Sequence, residues 1–353
     1  GHNVNNLVTM LRNLKDAKGP TLLHVITQKG KGYAPAEQDK QFLHAIGKVD
    51  KITGKSFPSA APSKPTPPSY QKVFGEAMTE ICAKDKRIVG ITAAMPDGTG
   101  LDILAASFPE QVIDVGIAES HAVTFAAGLA CEGIVPVCAI YSSFLQRAFD
   151  NIVHDCALQH LHVVFALDRS GLVGADGPTH HGVLDLHSAI YSYTSGPSAI
   201  RYPRGNGLGI QLREPQNIPL GKGEILKQGK HIALVGIGKM VNECMKAADL
   251  LKEQHIDVTV VNARFVKPLD ESLFKQLFQD HDVIITVEDG QIQGGFGSAV
   301  SEFAINQGFK GELIVHGIAD EFVDHGTQEE LLADLGLDAH GIASLISSRH
   351  SGH

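Results

Sequence analysis

Apolar residues in this chain fall into two alternating patterns. Short continuous apolar runs at 87–93 (RIVGITA), 112–117, 134–140 (IVPVCAI) and 162–167 (HVVFAL) have the length and Val/Ile content of buried strands. Between them, apolar positions recur at three- and four-residue spacing. In 70–84 the positions Val73, Phe74, Ala77, Met78 and Ile81 predict a helix, the small-residue stretch 119–131 predicts another, and a third starts directly off the strand at 141–150. Strands alternating with helices predict a parallel sheet covered on both faces. The rhythm restarts after Gly221. Strands are expected at 231–235, 257–261, 283–287 and 313–315, and helices at 240–252, 271–278, 298–306 and from 328 onward. The fold class expected is therefore α/β, with tandem doubly wound domains.

The chain opens with a different unit. A helix at 5–15, a strand at 21–27 (TLLHVIT) and a glycine-basic loop at 28–33 (QKGKGY) read as the tail of a third α/β domain, because one helix and one strand cannot bury a core alone. Residues 56–69 hold five prolines and read as a linker. The expected domains are 1–55, a linker at 56–68, then 69–212 and 213–353. The first residue is Gly, so the chain is expected to begin within a larger protein.

Composition narrows the function. A net charge of −9 excludes a general nucleic-acid or anionic-membrane surface. No apolar run reaches membrane-spanning length. The five cysteines, Cys82, Cys131, Cys138, Cys156 and Cys244, form no CxxC pair and read as reduced residues. The histidines lack a two-ligand spacing such as HExxH.

Candidate chemistry gathers behind three strands. Glu119 stands where the strand ending at Ile117 gives way to the small-residue helix. An acid there can simply favour the helix N-terminus. It also lies at the sheet edge where ligands bind in open α/β folds. The segment 141–147 (YSSFLQR) follows the third strand. The loop 168–182 (DRSGLVGADGPTHHG) follows the fourth and carries four glycines and five ionisable residues. Three polar loops at one edge predict a site. Gly294, Gly295 and Gly297 could cradle a phosphate or simply permit tight packing.

These segments carry a resemblance. GIAESHAVTFAAGLA, YSSFLQRAFD, DRSGLVGADGPTHHG and SAIRYPRG, together with HVITQKGKGY and FVKPLD, resemble the 1-deoxy-D-xylulose-5-phosphate synthases, thiamin diphosphate enzymes of the transketolase group. The resemblance implies a transketolase-like pyrimidine-binding domain followed by a transketolase C-terminal domain. It implies decarboxylation of pyruvate and carboligation to glyceraldehyde 3-phosphate, the first step of the non-mevalonate route to isoprenoid precursors, which also feeds thiamin and pyridoxal phosphate synthesis. It implies that Glu119 holds the cofactor's pyrimidine ring in its imino form, that Phe144 stacks on that ring and that Ile117 contacts it. His180, Asp176 and His44 are placed by it near the reacting carbons. Tyr141, Arg169 and Arg201 are placed on the acceptor phosphate, with Arg204 beside them or fixing the turn. A homodimer is implied, in a bacterial cytoplasm or a plastid stroma.

Two departures from that pattern stand out. The glycine-aspartate-glycine motif that holds Mg2+ and the diphosphate is missing, so no metal ligand is expected in this chain. The segment 186–195 is shorter than the family's strand and helix there. The alternative reading is a transketolase or a subunit like the pyruvate dehydrogenase β chain, working only with a partner.

Overall fold

The computed structural model describes residues 1–38, 43, 48–57, 66–182, 196–207 and 218–350. These fall into two compact units, Gly1–Pro65 and Thr66–His353.

In the first unit, helix Val4–Leu14 is capped by Asn3, whose side chain accepts from the Asn6 N–H, and it buries no residue. A short helix, Ala34–Gln38, follows the glycine-basic loop. The strand expected at 21–27 does not form. Those residues are irregular, and Leu22 is 93% exposed. A strand needs a neighbour for its backbone N–H and C=O groups. Among the described residues, 21–27 has none.

The second unit contains two five-stranded sheets. The first is built from β1 (Ile88–Thr92), β2 (Val112–Asp114), β3 (Val135–Tyr141), β4 (Val164–Asp168) and β5 (Ser198–Tyr202), in the order β2-β1-β3-β4-β5. Every pair is parallel. Alternate residues of the strands serve opposite faces. Cys138 and Ile140 pack with Ala122, Val123, Ala126 and Ala127 of helix Glu119–Cys131. Val137 and Ala139 pack on the other side with Met78 and Cys82 of helix Tyr70–Cys82 and with Leu101 and Leu104. The small residues of helix Glu119–Cys131 let its backbone lie close to the sheet.

Two expectations are corrected here. Residues 112–117 are not a buried strand: β2 is the edge strand, half-buried, and stops at Asp114, while Ile117 is 81% exposed. The segment after β3 is not one helix. It runs as a short α-turn, Ser142–Leu145, a 3-10 turn, Gln146–Ala148, another α-turn, Phe149–Asn151, and a π-helix, Ile152–Ala157. Irregular turns of this kind are common where a helix serves a site.

The second sheet comprises β6 (Glu224–Lys227), β7 (His231–Gly236), β8 (Thr259–Asn262), β9 (His281–Gln291) and β10 (Glu312–Ile318), ordered β10-β9-β7-β8-β6. Only β6 is antiparallel, at the edge. Its apolar cores lie on both faces, one of them closed by helices Met240–Glu253 and Ala339–His350.

The glycine turn of this sheet settles in favour of packing. A Cβ on Gly297 would meet Val315 Cγ1 at 2.2 Å and one on Gly295 the Gln291 carbonyl at the same distance. The N–H groups of Phe296 and Gly297, which would greet a phosphate, both donate at 2.8 Å to the carboxylate of Glu288. Glu288 is 1% exposed, and burial pushes its carboxyl up to about 7 against the pull of those two donors and of Arg201. A raised carboxyl means the folded state holds a proton that the unfolded chain, with its ordinary value of 4.5, has already lost. The resulting stability is full below that ordinary value and vanishes as pH rises through about 7. Thermal unfolding followed from pH 5 to 8 is expected to show wild type losing on the order of 3 kcal/mol relative to Glu288→Gln, whose own profile lacks this slope. Parallel profiles would show Glu288 to be ionised throughout.

Candidate active site

The register of the first sheet brings its strand ends into one line. Thr92 lies opposite Asp114 and Ala139, Tyr141 opposite Asp168, and Asp168 opposite Tyr202. All the loops leaving this carboxyl edge therefore start side by side. Asp114 Oδ1 accepts from the N–H groups of Ala94 and Gly116 at 2.8 and 2.9 Å, fixing the turns after β1 and β2. Gly116 adopts φ +73°, which reverses the chain into helix Glu119–Cys131.

Glu119 occupies the first turn of that helix and is 3% exposed. A carboxylate so far from water needs a cation or donors. Arg147 supplies both, its Nη1 donating to Glu119 Oε1 at 2.5 Å. A second bond runs from Ser120 Oγ to the Arg147 carbonyl at 2.7 Å, so the two segments are clasped twice. The Arg147 side chain remains 55% exposed.

From Arg147 the contacts pass to an aromatic cluster. Its guanidinium lies 4.9 Å from the Phe144 ring centre. Phe144 stacks on Tyr141 at 5.6 Å, and the imidazole of His180 meets Phe144 edge-on at 5.4 Å and Tyr141 at 6.5 Å. Beyond Tyr141, the Arg169 guanidinium sits 3.7 Å from the ring centre, a close cation–π contact. Burial raises the Tyr141 phenol to about 12, so it stays protonated. Arg169 pairs with Asp168 at 2.8 Å, and Asp168 is wholly buried, its carboxyl pushed up to about 6 by that burial. Glu119, Phe144, Tyr141, His180 and Arg169 thus form one continuous cluster drawn from all three polar loops.

The other expected residues stand apart from this cluster. Asp176 and Arg204 pair with each other, and Arg204 is near enough to bias Asp168 and Tyr141. Arg201, on β5, donates to the Gly182 carbonyl at 3.0 Å and lines a cavity of about 490 Å³ shared with Lys239, Arg264, Lys267 and Asp289. Ile117 is exposed at the lip. His44 and residues 186–195 lie outside the described residues.

His181 has a structural place. Its Nδ1 accepts from the Val173 N–H at 3.0 Å, and Nε2 lies 3.4 Å from the Asp324 carbonyl, tying the 168–182 loop to the second sheet's domain. Burial lowers its basicity, which suits a neutral ring with one donor and one acceptor.

Three contributors escaped sequence reasoning. Arg147 was visible only as a charge ending the YSSFLQR motif. Asp168 is the polar last residue of an apolar strand. Gly98 follows β1, in a turn (Pro96–Thr99) that no apolar pattern marks, and a Cβ there would meet the Tyr141 hydroxyl at 2.0 Å.

The site suits the heteroaromatic half of a thiamin-like cofactor. It combines a buried carboxylate and a half-buried aromatic ring with the buried hydroxyls of Ser142 and Ser143, which have no hydrogen-bond partner. Among the described residues, no group of three or more His, Cys, Asp or Glu is arranged to hold a metal ion.

Comparison with known proteins places both α/β domains. Residues 66–189 match the transketolase pyrimidine-binding domain and residues 221–342 the transketolase C-terminal domain. The chain belongs to the transketolase family. Among curated members, the 1-deoxy-D-xylulose-5-phosphate synthase of Synechococcus sp. (strain JA-3-3Ab) is 48% identical over 374 residues, covering 99% of this chain. That of Nitrosomonas eutropha is 46% identical over the same coverage. The chain spans 57% and 59% of their respective lengths. A solved transketolase-family structure, "Split gene transketolase, inactive beta4 tetramer", matches 79% of this chain and 97% of its own at a TM-score of 0.70 and 25% identity. Campylobacter jejuni transketolase shares the fold at a TM-score of 0.65.

The Glu119–Arg147 clasp makes a stability prediction. Arg147→Ala leaves the buried carboxylate unpaired and is expected to cost about 1–3 kcal/mol in urea unfolding, reduced because Arg147 is half exposed. Adding Glu119→Gln should recover most of that loss. Strictly additive losses would mean that the two groups do not depend on each other.

Proposed function

We propose that this chain carries the catalytic half-site of a 1-deoxy-D-xylulose-5-phosphate synthase, acting on pyruvate and glyceraldehyde 3-phosphate with thiamin diphosphate. The observation that supports it most is the buried Glu119 joined through Arg147 to the Phe144–Tyr141–His180 cluster, in a chain that resembles these synthases along nearly its whole length. When bound, thiamin diphosphate supplies a nucleophilic carbon and an electron sink.

In this reading Glu119 shares a proton with the pyrimidine ring, from a site that excludes water. Phe144 offers that ring a flat surface, and Ile117 covers its edge. His180 moves a proton near the reacting carbons, a task suited to imidazole at neutral pH. His44 and Asp176 are assigned beside it on resemblance. Arg169, with Tyr141 packed beneath it, grips the acceptor phosphate, and Arg201 and Arg204 add positive charge. Mg2+ and the diphosphate would be held by a segment that the longer relatives possess and this chain does not span.

The assembly proposed is a homodimer, in a bacterial cytoplasm. No described helix is long and apolar enough to cross a membrane. A second reading rests on the split-gene structure, whose chain is matched almost in full. There, the present chain would be a subunit active only with a separate partner.

The test is carbon dioxide release from pyruvate, measured on this chain alone and after supplying the N-terminal segment of the Synechococcus relative. Expected is turnover that requires both thiamin diphosphate and glyceraldehyde 3-phosphate, with Glu119→Gln slower by about 10²–10⁴-fold. Preference for a ketose phosphate donor would make the protein a transketolase. Failure to bind thiamin diphosphate in either format would overturn the reading.

A further inference from the structure

Arg169 is held in an unusual way. Its backbone sits at φ +64°, the left-handed region that a side-chain-bearing residue rarely adopts. What keeps it there is the preceding residue. Asp168 Oδ1 accepts from the Arg169 N–H at 2.6 Å, and Oδ2 accepts from Arg169 Nη1 at 2.8 Å. Both oxygens of a carboxylate with no exposure are thus engaged by one neighbour. Nη1 also donates to the Gly98 carbonyl at 3.0 Å, so both of its protons are engaged. The face of the guanidinium is covered by Tyr141 at 3.7 Å. What is left is the side-on edge, Nε with Nη2. Nε is buried and has no hydrogen-bond partner. A buried, unpartnered guanidinium donor is costly unless a ligand completes it. The side-on edge is also the fork that receives a phosphate through two parallel bonds.

We propose that Asp168 is a positioning residue: together with the Gly98 carbonyl it consumes Nη1 of Arg169 and turns the side-on Nε/Nη2 edge toward the phosphate of the acceptor aldehyde. Asp168 itself touches no substrate. Gly98 is required bare, because a Cβ there would meet the Tyr141 hydroxyl at 2.0 Å and push the ring from beneath Arg169. The inference rests on the assignment of Arg169 to the acceptor phosphate.

The test compares two acceptors in the active preparation, glyceraldehyde 3-phosphate and unphosphorylated glyceraldehyde. Asp168→Asn keeps the shape but sets an amide against Nη1. It is expected to raise KM for the phosphorylated aldehyde by about tenfold or more, while kcat/KM for the unphosphorylated one shifts by less than about threefold. In an Arg169→Gln background the same change should add no more than about twofold. Equal losses with both aldehydes, an unchanged KM, or full additivity with Arg169→Gln would overturn the proposal. Should Asp168→Asn fail to fold, Gly98→Ala, in a half-exposed turn, must show the same split between acceptors. Glycerol 3-phosphate binding, titrated by calorimetry in wild type and Asp168→Asn, separates this inference from the assignment of activity. Weaker binding in the variant supports Asp168 even if pyruvate proves not to be the donor. Equal binding counts against it even in an active enzyme.

Discussion

A carboxylate removed from water must find compensation, and the compensation chosen for Glu119 arranges the rest of the site. Arg147 reaches it from a segment that leaves a different strand. The reach requires the chain after β3 to turn through short, broken helical pieces rather than one regular helix. Those pieces in turn place Phe144 between Arg147 and Tyr141, and Tyr141 under Arg169. Two carboxylates, Glu119 and Asp168, therefore stand at either end of a line of cations and aromatic rings. Each of the two carboxylates is paired with an arginine, and Phe144 and Tyr141 each have a guanidinium over the ring.

The parallel sheet makes that line possible. Parallel register aligns the carboxyl ends of β1, β3 and β4, so that residues far apart in sequence begin their loops as neighbours. The two faces of the sheet are filled by apolar side chains, and the carboxyl edge carries the clustered polar groups. The second sheet uses the same design with a different result. At its glycine turn the helix N–H groups are taken by the side chain of Glu288, leaving them nothing to offer a phosphate. The same motif in one dimension can be a binding loop or a packing joint, and the neighbouring acid decides which.

The 168–182 loop connects the two domains as well as serving the site. His181 ties it to the 319–326 segment, Gln328 donates to the carbonyls of Leu172 and Arg204, and Lys239 pairs with Asp289 close to Gly171. A loop anchored at so many points is costly to displace. It holds His180 against the Phe144 ring without help from a regular helix or strand.

The sequence by itself determined most strands and helices of both domains, since periodicity of apolar residues is a local property, but β5, β6 and the helix Leu101–Ser107 were not among them. It also determined the three loops and most of the clustered residues, because Glu119, Phe144, Tyr141, His180 and Arg169 sit in motifs legible as a resemblance. What it could not determine depends on partners distant in the chain. The run 21–27 has strand composition but no neighbour to pair with, and 112–117 has core composition but lies at a sheet edge, so Ile117 faces outward. Only the tertiary structure decided that Arg147 belongs to Glu119 and that Gly98 must yield to Tyr141, because each is a contact between loops that meet only when the strands are in register. It also decided that Asp168 holds its neighbour Arg169, because the left-handed backbone and bent side chain of that pair are set by the packing around them and not by apolar periodicity.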